Sequence, residues 1–363
     1  MRRLTILTVA YPLACLGSDA VGGAEQIATA LDRALVENGW RSVVVAHAES
    51  RTLGSLIGTP VPGGVISPEV RDNVERSHQV SIDRALATFP VDLVHMHDFY
   101  FHRYRIPSHL PVLVTLHLPP SWYPESIWNL PVNIHLQGVS QTQRNMCPAE
   151  VRDRMPVVEN GVGIPAADRL RKGRFALMLS RICPEKNLHA GLDAAALAKF
   201  PVLLAGRVFP YQEHLRYFEE EIRPRLHRAR GRLLGGVGVD QKYRLLSRAA
   251  CLLLPSIAPE TSSLVAMEAA AAGTPVVAFP SGAVPEVVEN GRTGFLVNST
   301  EEMADAIRRV PDIDPAVCRS VAEARFPLQR MIESYFNLYR VLSEGNRIST
   351  QRFEASLSSR RVL

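Results

Sequence analysis

An α/β architecture of two doubly wound, Rossmann-like domains is what the sequence predicts, on three observations. Short runs of β-branched and aliphatic residues alternate with segments of helical period. Those runs are nearly continuous in apolar residues, and the alternation breaks once near the middle before restarting. Continuous apolar strands belong to parallel sheets covered by helices on both faces, whereas half-exposed antiparallel strands alternate apolar and polar. At 363 residues the chain is long enough for two such cores.

In the first half the pattern predicts strands over residues 4–9, 42–46, 91–95, 112–116 and 133–138, with helices over 24–38, 68–88 and 141–147. Residues 161–174, GVGIPAADRLRKGR, concentrate glycine, proline and charge and read as a linker. Strands are then expected over 175–179, 202–205, 251–254, 275–278 and 294–297, and helices over 187–199, 211–229, 241–249, 262–272 and 300–309. From Leu328 the stretch LQRMIESYFNLYRVL carries aromatics at helical spacing, and a polar, frayed tail follows. The expected division is 1–165, 166–327, a helix over 328–345 and a flexible tail over 346–363. The two sheets are expected to face each other across a cleft, with ligands at the carboxyl ends of the strands.

Composition narrows the function classes. The chain is 46% hydrophobic and 21% charged with a net charge of +5, and its basic residues are scattered, densest over 223–232. A scattered excess suits a solvated helix face and anionic small substrates better than nucleic acid, and leaves contact with an acidic membrane surface open. The five cysteines lie far apart with no C-x-x-C, as expected of reduced structural thiols and not of disulfides or a zinc site. The opening MRRLTILTVAYPLACLG has the outward form of a secretion signal. Thr5, Thr8 and Pro12 interrupt its apolar run, and residues 4–9 read as a first strand that cleavage near Cys15 would delete. No stretch reaches the roughly 18 apolar residues that span a bilayer. A cytoplasmic protein is expected, with peripheral contact at the inner membrane face left open.

The densest chemistry lies in APETSSLVAMEAAAAGTPVVAF, where Glu260 and Glu268 stand eight positions apart. Eight residues of helix rise about 12 Å. The carboxylate pairs of glycosidases sit roughly 5–9.5 Å apart, so an acid/base couple is a poor reading. Thr261 or Ser262 is expected to cap a helix whose first amides, from Ser262, Ser263 and Leu264, form an anion site. A diphosphate there would leave Glu268 near a ribose and Glu260 near a group beyond the phosphates, the layout of a nucleotide diphosphate sugar. A capping loop followed by an alanine-rich packing helix explains the same residues. In LSRICPEKNL, Arg181 and Lys186 follow a strand and suit a diphosphate. In DAVGGAEQIATAL, Gly22 and Gly23 open a helix and allow close backbone approach. Neither this stretch nor GGVGVDQ over 235–241 matches G-x-G-x-x-G, which counts against a nicotinamide enzyme.

Histidines end two apolar strands, His95 and His97 in VDLVHMHDF and His117 in VLVTLHLPP. Strand alternation supplies no third ligand to the first pair, so no metal is expected, and His117 is the better candidate for touching substrate. Asp312 and Asp314 in PDIDPA imitate a cation-binding D-x-D but read as a helix-capping turn. HDFYFHRYRIP and PPSWYPESIW suggest an aromatic rim for a sugar or planar acceptor.

In order, these stretches resemble a retaining family 4 glycosyltransferase of the GT-B fold. The resemblance runs from about Leu4 to Leu342 and includes VDLVHMHD, VTLH, GVSQTQRN, VVENGV, LSRICPEKN, LLAGR, the two glutamates, AAGTPVVAF and GAVPEVVENGRTGFLV. It implies transfer of a hexose, most often from a UDP-sugar, to a hydroxyl on a glycan, lipid or small molecule. Arg181 and Lys186 would bind the diphosphate, Glu268 the ribose, Glu260 the donor sugar, and Ser262, Ser263 and Leu264 the phosphate or sugar through their backbone. Gly22 and Gly23 would lie by the phosphate, and His117 would hold a sugar hydroxyl. Its last helix would cross back onto the first domain. The cations would replace a metal, so neither metal nor cofactor is implied. Ser180 stands where relatives carry glycine, and Thr261-Ser262-Ser263 departs from the usual residues after the first glutamate. A nucleotide-sugar-binding protein without catalysis and an epimerase of the same fold are the alternatives. A phosphorylase would need a pyridoxal-binding lysine that the sequence does not reveal.

Overall fold

A computed structural model describes residues 3–166 and 171–345, so the expected tail and residues 167–170 of the expected linker lie outside the described residues. Chain contacts define two compact units: residues up to Glu159 together with those from Arg330 onward, and Asn160–Gln329.

The first unit holds six parallel strands: β1 (Thr5–Val9), β2 (Arg41–His47), β3 (Ser55–Thr59), β4 (Leu93–Met96), β5 (Val112–Thr115) and β6 (Ile134–Gln137). Their spatial order is β3-β2-β1-β4-β5-β6. The second unit repeats the plan with β7 (Ala176–Leu179), β8 (Val202–Ala205), β9 (Arg232–Gly235), β10 (Cys251–Leu254), β11 (Val276–Ala278) and β12 (Gly294–Leu296), ordered β12-β11-β10-β7-β8-β9. Every pairing is parallel. Each sheet reverses its strand order once, between β1 and β4 and between β7 and β10. Loops leaving the carboxyl ends there diverge to opposite faces and open a crevice.

The inner strands are covered on both faces: every residue of β1, β4, β5 and β10 is buried, as their unbroken apolar runs require. The two strands that the sequence pattern misses, β3 and β9, are edge strands, and β9 buries none of its four residues. With half the packing surface of a central strand, an edge strand has no need of a continuous apolar run.

The helix expected over 211–229 is three segments, Gln212–Tyr217, a π-turn at Phe218–Ile222 and Arg223–Arg228. Pro224 cannot donate to the preceding turn, and the wider π-turn accommodates its ring. Short helices at Ala149–Arg152 and Val284–Val287, and a longer one at Pro315–Arg325, lie outside the sequence pattern. Asp314 caps the last of these by accepting from the Ala316 amide at 2.8 Å, and Asp312 ends a 3-10 turn, so the D-x-D is the capping turn the prolines suggest.

The last helix, Leu328–Ser343, turns its aromatics into the first unit. Tyr335 and Tyr339 are wholly buried there, and Phe336 stacks on Trp40 with centroids 4.7 Å apart. Tyr339→Ala should destabilise this unit by about 3–5 kcal/mol, as expected for a large buried ring, and Tyr339→Phe by about 1 kcal/mol for one hydrogen bond. Urea unfolding followed by tryptophan fluorescence checks this, because Trp40, Trp122 and Trp128 all lie in the first unit.

Candidate functional site

In the second unit, the segments leaving β7 and β10 are locked together through the backbone. Glu185 O accepts from the Ile257 amide at 3.2 Å, from the Ala258 amide at 3.4 Å and from Ser256 Oγ at 3.3 Å. A third segment, after β11, grips the other side: Ala283 N donates to Glu260 O at 2.7 Å and Ser281 Oγ to Ala258 O at 2.7 Å. Gly282 makes this approach possible. Its φ is +58°, and a Cβ there would lie 2.3 Å from Glu260 O. The outcome is an ion pair across the point of reversal, Lys186 Nζ to Glu260 Oε1 at 2.6 Å, with both side chains largely buried. Arg181, at the end of β7, is half-buried and has no carboxylate partner among the described residues.

Glu268 lies on the following helix, Leu264–Ala271. This helix starts later than the sequence suggests: Ser263, not Thr261 or Ser262, is the capping residue, and its side chain makes no capping bond. The Oγ atoms of Ser262 and Ser263 are buried without a hydrogen-bond partner. Two orphaned donors beside a helix N-terminus suit an anion, since a buried hydroxyl is otherwise costly. Leu264, the first helical residue, is itself buried. Glu268 is 5% exposed and accepts from Lys242 Nζ. Burial pushes its carboxyl up from the ordinary range, and Lys242 opposes the shift. Lys242, on the helix Val239–Arg248, escapes sequence reasoning because GGVGVDQ draws attention only through its glycines. An unexplained buried glutamate is the one signal that a lysine has to lie opposite.

In the first unit, Gly22 caps the helix Gly23–Glu37. A Cβ at Gly22 would lie 1.8 Å from Glu25 Oε2, so a carboxylate already lies against this glycine. A phosphate beside Gly22 and Gly23 therefore requires Glu25 to swing away.

The three histidines converge in one hydrogen-bonded series. His97 Nδ1 lies 2.8 Å from His117 Nε2, and His97 Nε2 lies 3.1 Å from His95 Nδ1. Proton positions follow from one fixed end. Gln137 Nε2 donates to the Gly138 and Val158 carbonyls, so Gln137 Oε1 accepts, from Thr115 Oγ1 at 2.7 Å and Tyr335 Oη at 3.0 Å. Thr115 has then spent its proton and accepts from His95 Nε2 at 2.8 Å, leaving His95 Nδ1 to accept from Tyr339 Oη at 2.8 Å and from His97. His97 Nδ1 in turn accepts from His117 Nε2. This series of bonds assigns His117 the Nε2–H tautomer with an acceptor at Nδ1. Burial holds its pKa at about 4, so the ring is neutral near pH 7.

In the two aromatic stretches Phe99, Tyr100, Tyr104 and Trp128 are half-buried. Phe101 and Tyr123 are buried, and Tyr104 donates to buried Asp98 at 2.8 Å; Trp122 is the exposed exception. Tyrosine and phenylalanine patterns cannot by themselves distinguish a rim from a core.

Fold and sequence order define a class, the GT-B α/β proteins. Residues 21–162 match the family model described as Glycosyltransferase Family 4, and residues 166–323 match that described as Glycosyl transferases group 1. The chain belongs to glycosyltransferase family 4. A D-inositol 3-phosphate glycosyltransferase of Streptomyces avermitilis is 42% identical over 90 residues, 24% of this chain and 19% of that protein. A GDP-mannose-dependent alpha-(1-6)-phosphatidylinositol monomannoside mannosyltransferase of Mycobacterium tuberculosis is 30% identical over 173 residues, 42% and 43% of the two chains. The matched segments thus span about a fifth to two fifths of these relatives' length. Among solved structures, AviGT4, a glycosyltransferase involved in avilamycin A biosynthesis, aligns with a TM-score of 0.68 at 23% identity over 94% of this chain and 98% of its own. Anabaena HepE in complex with UDP-glucose aligns with a TM-score of 0.65 at 19% identity over 98% and 100%. At these identities they establish the fold.

Burial also makes stability depend on pH. It holds His78 at about 3, His117 at about 4, and His95 and His97 well below the ordinary value of 6.5. As pH falls through 6.5, the unfolded chain takes up protons that the folded chain refuses, so folding stability is lost toward pH 4. Each imidazole contributes up to about 1.4 kcal/mol per pH unit. Asp98, raised to about 7 by burial, acts in the opposite sense, since the folded chain keeps its proton between 3.8 and 7. Glu268, also raised by burial, acts in the same sense as Asp98, and the four histidines outweigh the two carboxylates. The tryptophan-detected urea midpoint should fall between pH 6.5 and 4.5, and His117→Gln should flatten the slope.

Proposed function

We propose that this chain is a retaining glycosyltransferase moving a hexose, from a UDP-sugar in the first instance, to an acceptor hydroxyl without a metal in the reaction. The observation that carries the reading is the arrangement in the second unit. The second unit carries a half-buried Arg181 without a carboxylate partner among the described residues, the Lys186–Glu260 and Lys242–Glu268 pairs, and a helix N-terminus with two orphaned serine hydroxyls. Arg181, Lys186 and the amides and hydroxyls near Ser262, Ser263 and Leu264 receive the diphosphate. Lys242 occupies Glu268 Oε1, and Oε2 accepts from a ribose hydroxyl. Glu260, once Lys186 turns to the phosphate, accepts from the sugar. In the first unit His117 offers Nδ1 as a neutral acceptor for a sugar hydroxyl.

In the reaction the acceptor oxygen bonds to the anomeric carbon as the bond from that carbon to the diphosphate oxygen breaks. The departing phosphate oxygen takes the acceptor's proton from the same face. Arg181, Lys186 and the helix N-terminus stabilise the charge that develops on the diphosphate. Support for UDP comes from the HepE complex with UDP-glucose, whereas the mycobacterial relative is named for GDP-mannose. A donor panel must therefore include both. The acceptor is a glycan, lipid or small molecule carrying a free hydroxyl.

Free UDP, GDP and ADP released from their hexose donors should be measured across an acceptor panel. The reading predicts acceptor-dependent release from one donor and an anomeric NMR coupling that matches the donor's. Binding without release from any donor supports the non-catalytic alternative. Arg181→Ala should lower kcat by roughly 100-fold or more, the usual cost of losing a group that stabilises developing charge. Gly282→Ala should displace Glu260 and lower donor turnover while leaving UDP affinity within about threefold, measured by calorimetry beside initial rates.

A further inference from the structure

The segment that carries Arg181 and Lys186 contains a second set of groups that the sugar-transfer reading does not use. Cys183, Glu185 and His214 bring a thiol, a carboxylate and an imidazole together, one ligand atom of each lying within 4.8 Å of the others. Cys183 is wholly buried and His214 is 8% exposed. His214 Nδ1 is buried without a hydrogen-bond partner. An imidazole nitrogen in that position costs free energy unless a donor or a metal meets it. The ring is held edge-on to Tyr211, with centroids 5.1 Å apart.

We propose that Cys183, Glu185 and His214 bind a thiophilic divalent cation of the zinc class. Thiolate, imidazole and carboxylate together select such an ion over magnesium or calcium, which take oxygen ligands. Zinc–ligand bonds of about 2.0–2.3 Å place tetrahedral ligand atoms about 3.5 Å apart, so loading requires the three groups to close by no more than roughly 1.3 Å. The thiol gives its proton to solvent on binding, and thiolate and carboxylate then balance the two positive charges. Pro184 and the three bonds to Glu185 O hold the loop side of the site, and the helix Gln212–Tyr217 supplies the other. The ion would fasten residues 181–186 to that helix. Only the consequence for Arg181 and Lys186 as donor-binding groups rests on the sugar-transfer reading; the binding itself does not.

The test uses the full chain, stripped with a chelator and reloaded. Zinc should remain at about one equivalent per chain after gel filtration, raise the thermal midpoint, and be replaced by cobalt(II) with a thiolate charge-transfer band. Cys183→Ser should abolish the band and the thermal shift. His214→Gln, which keeps the thiol, should weaken retention by at least about tenfold, since losing even an outer partner of a metal ligand costs that much. Cys15 Sγ lies 3.3 Å from His47 Nδ1, with Glu49 beside them, and is the competing thiol site among the described residues. No retained zinc, or a cobalt band that survives Cys183→Ser through that pair, overturns the proposal. None of these readouts uses sugar transfer, so failure here leaves acceptor-dependent UDP release untouched, and the reverse also holds.

Discussion

Lys186 and Glu260 meet across the point where the second sheet reverses its strand order, and the rest of the site depends on that meeting. Taking two charges largely out of water costs several kcal/mol each, and their mutual attraction returns that cost only with good geometry. Packed hydrophobic residues would hold the same two loops as well or better. A fold therefore has no use for this pair as glue. The pair leaves one cation and one carboxylate at the carboxyl edge of the sheet, and under the proposed function each exchanges its partner for part of the donor. The Lys242–Glu268 pair repeats the arrangement farther along the following helix.

Two features keep these pairs in place. The backbone lock through Glu185, Ser256, Ile257 and Gly282 fixes the loops without consuming the charged side chains. The parallel sheet beneath is buried on both faces at its centre and contributes rigidity without polar demands. The first unit uses a different device for the same end. Its histidines lie in a hydrogen-bonded series from Gln137 to His117, so a glutamine at the end of β6 sets the tautomer of a residue after β5.

Much of this is legible in the amino-acid sequence alone. Ten of the twelve strands among the described residues announce themselves by apolar runs, because helices cover the sheets, and the Gly-Thr-Pro turn after Glu268 marks the passage from helix to strand. The edge strands β3 and β9 are illegible because they bury too little to constrain their sequence. Arg181, Lys186, Glu260 and Glu268 stand out because charges directly after apolar strands, or within an alanine-rich helix, need a reason. Lys242 does not, since a lysine on an amphipathic helix is ordinary until its partner is known. The histidine series joins residues up to 244 positions apart, and the Cys183–Glu185–His214 cluster bridges two separate elements, so only tertiary structure brings either together.

In the proposed function Glu260 and Glu268 grip different parts of one extended ligand. Calorimetric titration of Glu260→Gln and Glu268→Gln with UDP and with UDP-glucose tests it most directly. The account predicts that Glu268→Gln weakens both ligands by a similar factor, whereas Glu260→Gln weakens UDP-glucose and leaves UDP nearly unchanged. Equal losses for both ligands in both variants, or no loss in either, would contradict it.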